Sequence, residues 1–208
     1  MRNDSGQEKV QTHTKYYHPD SKKYLYKQLY LIGIVCIFVI LVGCDQKTAR
    51  TVDMYNISND MVGTVKLSED PEGVNAKVKV EGLSPGFHGI HVHEYAKCSG
   101  KDFKDAGNHL NPQGKKHGLM NSKGAHLGDM PNIKADSNGK MKGEVTVIDA
   151  TLKDGKNTLK GSSVVITEDA DDGISQPSGK SGKRILCGTI DKKEKKGESP
   201  SDPTEAEK

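Results

Sequence analysis

The sequence predicts an all-β domain, an antiparallel sandwich or barrel of short strands with one long loop. Three observations predict it. Apolar residues alternate with a period of two: Met61, Gly63, Val65 and Leu67 share one parity, and Val74, Ala76, Val78 and Val80 share another. Convincing periodicity of 3.6 residues is absent. Composition is light, with 23 Gly, no Trp, 33% hydrophobic and 5% aromatic residues among 208, which argues against a helical bundle or a polytopic membrane protein.

Taken in order, the chain opens with a leader. Residues 29–42 are a mostly apolar run of 14, preceded by Lys22, Lys23 and Lys27 and closed by Leu41-Val42-Gly43-Cys44. Such a run is shorter than the roughly 18 residues a spanning helix needs and suits a signal-peptide core. Its end resembles the lipobox of bacterial lipoproteins, in which the Cys thiol, here Cys44, takes a diacylglyceryl group. The alternative is a short anchor or buried helix with an incidental Cys. Residues 1–43 are therefore expected to be a lipoprotein signal peptide. Export to an extracytoplasmic position, lipid-anchored to the bacterial cell membrane, follows from it. Residues 44–60 read as lipidated cysteine and tether, with 45–55 conspicuously polar.

The domain is expected over 61–190. Glu69-Asp70-Pro71-Glu72-Gly73 is turn chemistry between two alternating runs, so these form an antiparallel hairpin. Val145/Val147, Ser163–Ile166 and the segment from Arg184 to Ile190 supply further strands. Residues 191–208 (DKKEKKGESPSDPTEAEK) nearly lack apolar side chains and read as a disordered charged tail. The formal charge of +3 resides in the leader, leaving residues 44–208 with 25 side chains of each sign. A balanced body gives no polyelectrolyte reason to expect nucleic acid as a partner.

Between Tyr95 and Asn132 no good strand or helix can be read. A structureless segment that long is uncommon in a compact domain unless something organises it. Cross-links are needed to offset its ordering entropy. Cysteine is one source: with Cys36 in the leader and Cys44 lipidated, Cys98 and Cys187 remain in an oxidising setting, as a disulfide or as two free thiols. Metal is the other. Six of the eight His lie between positions 88 and 126. If Phe87–Glu94 is a strand, His91 and His93 stand on one face and can bind one ion. His88 faces the core with Ile90 and Val92 and reads as a buried imidazole bonded to backbone. His109, His117, His126 and Asp129 offer three imidazoles and a carboxylate, a set that suits tetrahedral zinc with no open position, hence a structural site.

The segments Gly86-Phe-His-Gly-Ile-His-Val-His-Glu94, Ala106-Gly-Asn-His-Leu-Asn-Pro112, His117-Gly118, His126-Leu-Gly-Asp129 and Gly182-Lys-Arg-Ile-Leu-Cys-Gly188 strongly resemble copper/zinc superoxide dismutases. The resemblance extends from about Gly63 to Ile190 and implies a Greek-key β-sandwich or barrel. It implies copper on His91, His93 and His109, and zinc on His109, His117, His126 and Asp129. His109 would bridge the two as imidazolate and carry a proton. It further implies a Cys98–Cys187 disulfide, Asp171 linking a copper His to a zinc His, and Arg184 guiding the anionic substrate, superoxide, toward copper.

One position departs from the family pattern. The family's fourth copper ligand is a His ending a Val-Val-x-His-Glu strand, and here Ser163-Val-Val-Ile-Thr-Glu-Asp169 places Thr167 there. No His follows His126 to substitute for it. Cu(II) favours four tetragonal nitrogen or oxygen donors, and a neutral hydroxyl is a poor one. The reading is thus an exported dismutase-like protein whose zinc site is complete. Its conversion of superoxide to oxygen and hydrogen peroxide is expected to be weak or lost. The alternative is a non-catalytic, zinc-stabilised module for copper binding or interaction.

Overall fold

A computed structural model describes residues 49–191, together with Lys23, Lys27 and Tyr30. The chain divides into two units, Met1–Gln46 and Lys47–Lys208. In the first, Lys23, Lys27 and Tyr30 are helical and exposed. The expected signal-peptide core with Cys36, the expected lipidation site Cys44 and the tail from residue 192 onward lie outside the described residues.

The second unit is all-β. Nine strands are described: β1 (Ala49–Asn56), β2 (Met61–Asp70), β3 (Gly73–Val80), β4 (Gly86–His88), β5 (Ile90–His93), β6 (Ile133–Ala135), β7 (Met141–Ile148), β8 (Ser162–Thr167) and β9 (Arg184–Ile190). They form one sheet in the order β4-β6-β7-β3-β2-β1-β9-β8-β5, with every pairing antiparallel. The two ends of that order, β4 and β5, are separated in sequence by Gly89 alone. Such a sheet must curl until its edges nearly meet, which makes it a nearly closed barrel. β7 returns beside β3 and β9 beside β1, each after skipping strands, in Greek-key fashion.

The β2–β3 hairpin has the expected register, with Val65 opposite Val78 and Leu67 opposite Ala76. These side chains are fully buried and meet Met54, Ile90, Met141 and Ile166 in the barrel core. Each buried Val, Leu, Ile or Met among them stabilises the fold by roughly 1.5–3 kcal/mol.

Two expectations are corrected. Residues 49–56, read as part of a tether, form β1 between β2 and β9. The polar appearance of ARTVDMYN hides an alternation in which Val52 and Met54 point into the core while Thr51 and Asp53 face out. The segment from Phe87 to Glu94 is not one strand but two, broken at Gly89. At Gly89 the chain leaves the β6 side of the barrel for the β8 side. His88 nevertheless occupies the predicted place: it is buried, with Nδ1 2.8 Å from the Thr167 carbonyl and Nε2 2.8 Å from the Ser84 carbonyl.

The long connection between β5 and β6 contains only a short 3-10 turn at Lys104–Ala106. It is held by covalent and polar links, and also by apolar anchors that the sequence reading did not anticipate: Leu127 and Met130 enter the barrel core, and Phe103 and Ala106 pack on Val165 beside the disulfide. Cys98 is bonded to Cys187 of β9 with a Cα–Cα separation of 5.6 Å. Closing a loop of 89 positions lowers the entropy of the unfolded chain by an amount equivalent to about 4–5 kcal/mol in the chain-entropy model.

Candidate metal centre

β5 carries His91 and His93, both buried in a strand whose four residues are all inaccessible. Pairing of His91 with Val165 and of His93 with Ser163 on β8 fixes their backbone. On the other edge of β5 the loop supplies bridges from Asp129 to His91 and from His109 to His93. Residues far apart in sequence are thereby brought to one end of the barrel.

Two donor groups result, each with ligand atoms within 4.8 Å of one another: His91, His93 and His109, and His109, His117, His126 and Asp129. His109 belongs to both. Its ring stacks on that of His91 with centroids 3.9 Å apart.

The second group is arranged around one carboxylate oxygen. Asp129 Oδ1 lies 2.8 Å from His109 Nδ1, 3.1 Å from His117 Nδ1 and 3.4 Å from His126 Nδ1. Three ring nitrogens cannot all donate well to one oxygen. The same convergence gives three nitrogen lone pairs and one carboxylate to a small cation. Asp129 Oδ2 is held separately by the backbone N–H groups of Gly118 (2.9 Å) and His126 (3.0 Å). Burial would raise the Asp129 pKa, but the hydrogen bonds from His109 and from the Gly118 backbone prevail and hold it well below the usual carboxylate range. The carboxylate is therefore ionised, as a zinc ligand must be.

Second partners set the tautomers. Asp171 Oδ2 accepts from His91 Nε2 at 2.6 Å and lies 3.0 Å from His117 Nε2, so one carboxylate ties a ring from each group. Both rings then keep Nδ1 for another partner, and His91 Nδ1 is buried without one. His93 donates through Nδ1 to the Gly107 carbonyl at 3.0 Å and leaves Nε2 buried and unpartnered. Orphaned buried nitrogens carry a penalty of about 1–3 kcal/mol each, which a metal ion would remove. The donor chemistry and these orphaned atoms fit zinc on the four-residue group and copper on the three-residue group.

Burial first, then the neighbouring His109, pushes the His93 pKa down to about 2, with the Gly107 hydrogen bond opposing. Burial likewise lowers His109 to about 4 against its bond to Asp129. Neutral imidazoles, ready to ligate, are the outcome.

Arg184, the first residue of β9, donates to the carbonyls of Phe103 (2.7 Å) and Gly107 (2.8 Å). It thus grips the carbonyl that orients His93. Burial lowers its pKa, with Asp102 and Asp105 opposing. Thr167 lies at the end of β8, after a bulge, beside the His91 ring where both border Gly89. Its hydroxyl faces the carbonyls of Gly89 and Asp169, each 3.2 Å away.

Three contributors went unnoticed in the sequence. Asn132 clamps the Asp171 backbone reciprocally: its Nδ2 donates to the Asp171 carbonyl and its Oδ1 accepts from the Asp171 N–H, both at 2.8 Å. Gly107 supplies the carbonyl shared by His93 and Arg184. Gly179, at φ +68°, leaves room for Asp171, whose Oδ1 would lie 1.9 Å from any Cβ there. No residue-type or spacing signal marks Asn132. Gly179 falls within a Gly/Ser-rich stretch that offers no reason to single it out.

A barrel with two adjoining imidazole-rich donor groups that share one histidine has the layout of a two-metal site, and the similarity to known proteins points to the same class. The family model described as copper/zinc superoxide dismutase (SODC) matches residues 61–190, and the chain belongs to that family. The Superoxide dismutase [Cu-Zn] 2 of Aquifex aeolicus is 38% identical over 167 residues, covering 77% of this chain and 98% of the relative. The superoxide dismutase-like protein YojM of Bacillus subtilis is 38% identical over 145 residues, 67% of this chain and 74% of its own length. Among solved structures, a SOD-like protein from Bacillus subtilis matches with a TM-score of 0.65 at 36% identity, covering 67% of this chain and 97% of that one. The Cu/Zn superoxide dismutase of Brucella abortus matches with a TM-score of 0.60 at 32% identity, covering 69% and 100%.

Proposed function

We propose that this protein is an exported, lipid-anchored superoxide dismutase-like metalloprotein with a complete zinc site and an impaired copper site. The observation that carries the reading is the sharing of His109 between the two donor groups, with Asp171 tying His91 to His117. Zinc would be held by His109, His117, His126 and Asp129, leaving no open position, and would order the loop from 94 to 132. Copper would be held by His91, His93 and His109, with Thr167 where the family has a fourth histidine.

Copper, when bound, supplies the one-electron chemistry by which two superoxide ions and two protons become oxygen and hydrogen peroxide. The chain's own contributions are positional. Arg184 puts a guanidinium beside the loop that orients His93, and through it favours approach of an anion. His109 has Nδ1 on Asp129, so its other ring nitrogen is the one that would hold copper or, when free of it, take up and release a proton. Asp171 fixes the tautomers of His91 and His117.

Dismutation is expected to be weak or absent because the copper group offers three imidazoles, not four. The hydrogen bonding of the Thr167 hydroxyl to two carbonyls supports a second reading, a non-catalytic zinc-stabilised module that binds copper. Cys44 would carry the lipid, with the domain on the outer side of the bacterial membrane. The Cys98–Cys187 bond is consistent with that oxidising location.

Metal analysis after loading with copper and zinc, paired with a superoxide-consumption assay, tests the reading. Stoichiometric zinc with slow turnover is expected. Turnover near the diffusion limit with stoichiometric copper overturns the impaired site. Thr167→His is expected to raise both copper binding and activity. The mass of the mature N-terminal peptide tests lipidation at Cys44 independently.

A further inference from the structure

The space around Thr167 is closed. Gly89, Thr167, His91 and Ser181 are buried together: a Cβ built on Gly89 would fall 2.6 Å from Thr167 Oγ1, 2.9 Å from His91 Cε1 and 3.3 Å from Ser181 Cβ. Thr167 is 3% exposed, and its single hydroxyl proton is directed at the Gly89 and Asp169 carbonyls. His91, which it adjoins, and the two imidazoles grouped with His91 are each fixed by a separate bond. His91 is held by Asp171, His93 by the Gly107 carbonyl and His109 by Asp129. Neither a swing of Thr167 nor a shift of the rings can readily assemble four donors in a plane.

We propose that Thr167 makes this three-imidazole group selective for Cu(I) over Cu(II). The inference rests on the reading of His91, His93 and His109 as a copper site. Cu(I) is a closed-shell ion which, like zinc, has no geometric preference from its d electrons. Two or three nitrogen donors satisfy it. Cu(II) seeks four tetragonal donors and loses most when one is missing. A threonine whose hydroxyl is committed to backbone carbonyls therefore removes more affinity from the oxidised ion than from the reduced one. The residue acts as a determinant of which oxidation state is retained.

The test uses the full chain loaded with zinc. Cu(I) affinity is measured anaerobically by competition with bicinchoninate, Cu(II) affinity by competition with glycine, and the midpoint potential by redox titration followed by the Cu(II) electron paramagnetic resonance signal. Thr167→His is expected to strengthen Cu(II) binding by about tenfold or more with little change for Cu(I). The potential then falls by about 59 mV for each tenfold change of a one-electron couple. Thr167→Val, which removes the hydroxyl and keeps the shape, is expected to leave both affinities unaltered. Weakened Cu(II) binding in Thr167→Val, or equal Cu(II) preference in wild type and Thr167→His, overturns the proposal. Zinc binding without copper in either oxidation state overturns the copper-site reading itself, and so is distinguishable from a failure of selectivity.

Discussion

Asp171 does two jobs at once, accepting from His91 on one side and His117 on the other, and its own position depends on Asn132 and on the missing side chain of Gly179. Partners of this kind orient ligands and typically account for about 10–100-fold in metal affinity. Asn132→Ala, which touches no donor atom, is therefore expected to weaken zinc binding within that range, as measured by competition with a chromophoric chelator. Gly179→Ala is expected to do the same by displacing the carboxylate. Residue types along the chain pick out the side chains that the fold brings together, because imidazoles crowded between positions 88 and 126 have few structural explanations. They do not reveal which carbonyl or amide aims each ring. Those partners, Asn132 and Gly107 among them, are set by tertiary folding and carry no pattern of their own. The direction of the Thr167 hydroxyl is a detail of the same kind.

At the scale of elements, the β2–β3 hairpin was readable because its two faces differ sharply in polarity and a Pro-Glu-Gly turn separates them. β1 was not, since only Val52 and Met54 mark its inner face and the flanking Arg50, Thr51 and Asp53 make the segment look solvated. β4 and β6 are three residues each, too short for any periodicity to register. The loop between β5 and β6 depends on links that sequence can name only as candidates. Reducing or mutating one of them has a calculable direction. The Cys98→Ser, Cys187→Ser double variant is expected to lose about 2–5 kcal/mol of stability, read as a shifted midpoint in denaturant titration. Core packing within the hairpin responds independently: Leu67→Ala, at a fully buried position, is expected to cost about 2–5 kcal/mol.

For the whole molecule, acid acts through the buried histidines of the candidate metal site. In the metal-free protein, burial first, then neighbouring charge, lowers His93 from 6.5 to about 2; burial lowers His109 from 6.5 to about 4. Between about pH 6.5 and 4 the unfolded chain binds protons on these rings that the folded chain refuses, so stability rises with pH across that window and is lost as pH falls through it. Thermal melts of the metal-free protein from pH 7 to pH 4 are expected to show a steady decline in Tm. Bound zinc would add to the contrast, since protons compete with it for the same nitrogens. Metal release on acidification, followed with a zinc indicator, is expected to precede unfolding.

The far edge of β5 is occupied by loop backbone: Val92 N–H reaches the Gly128 carbonyl at 2.9 Å, and Leu110 N–H and Glu94 N–H reach the Val92 and Asn108 carbonyls at 2.8 and 3.0 Å. Zinc held by that loop would therefore also keep a strand margin covered. Its removal would open that margin as a template on which another molecule's strand can add, turning a coordination defect into a tendency to self-associate.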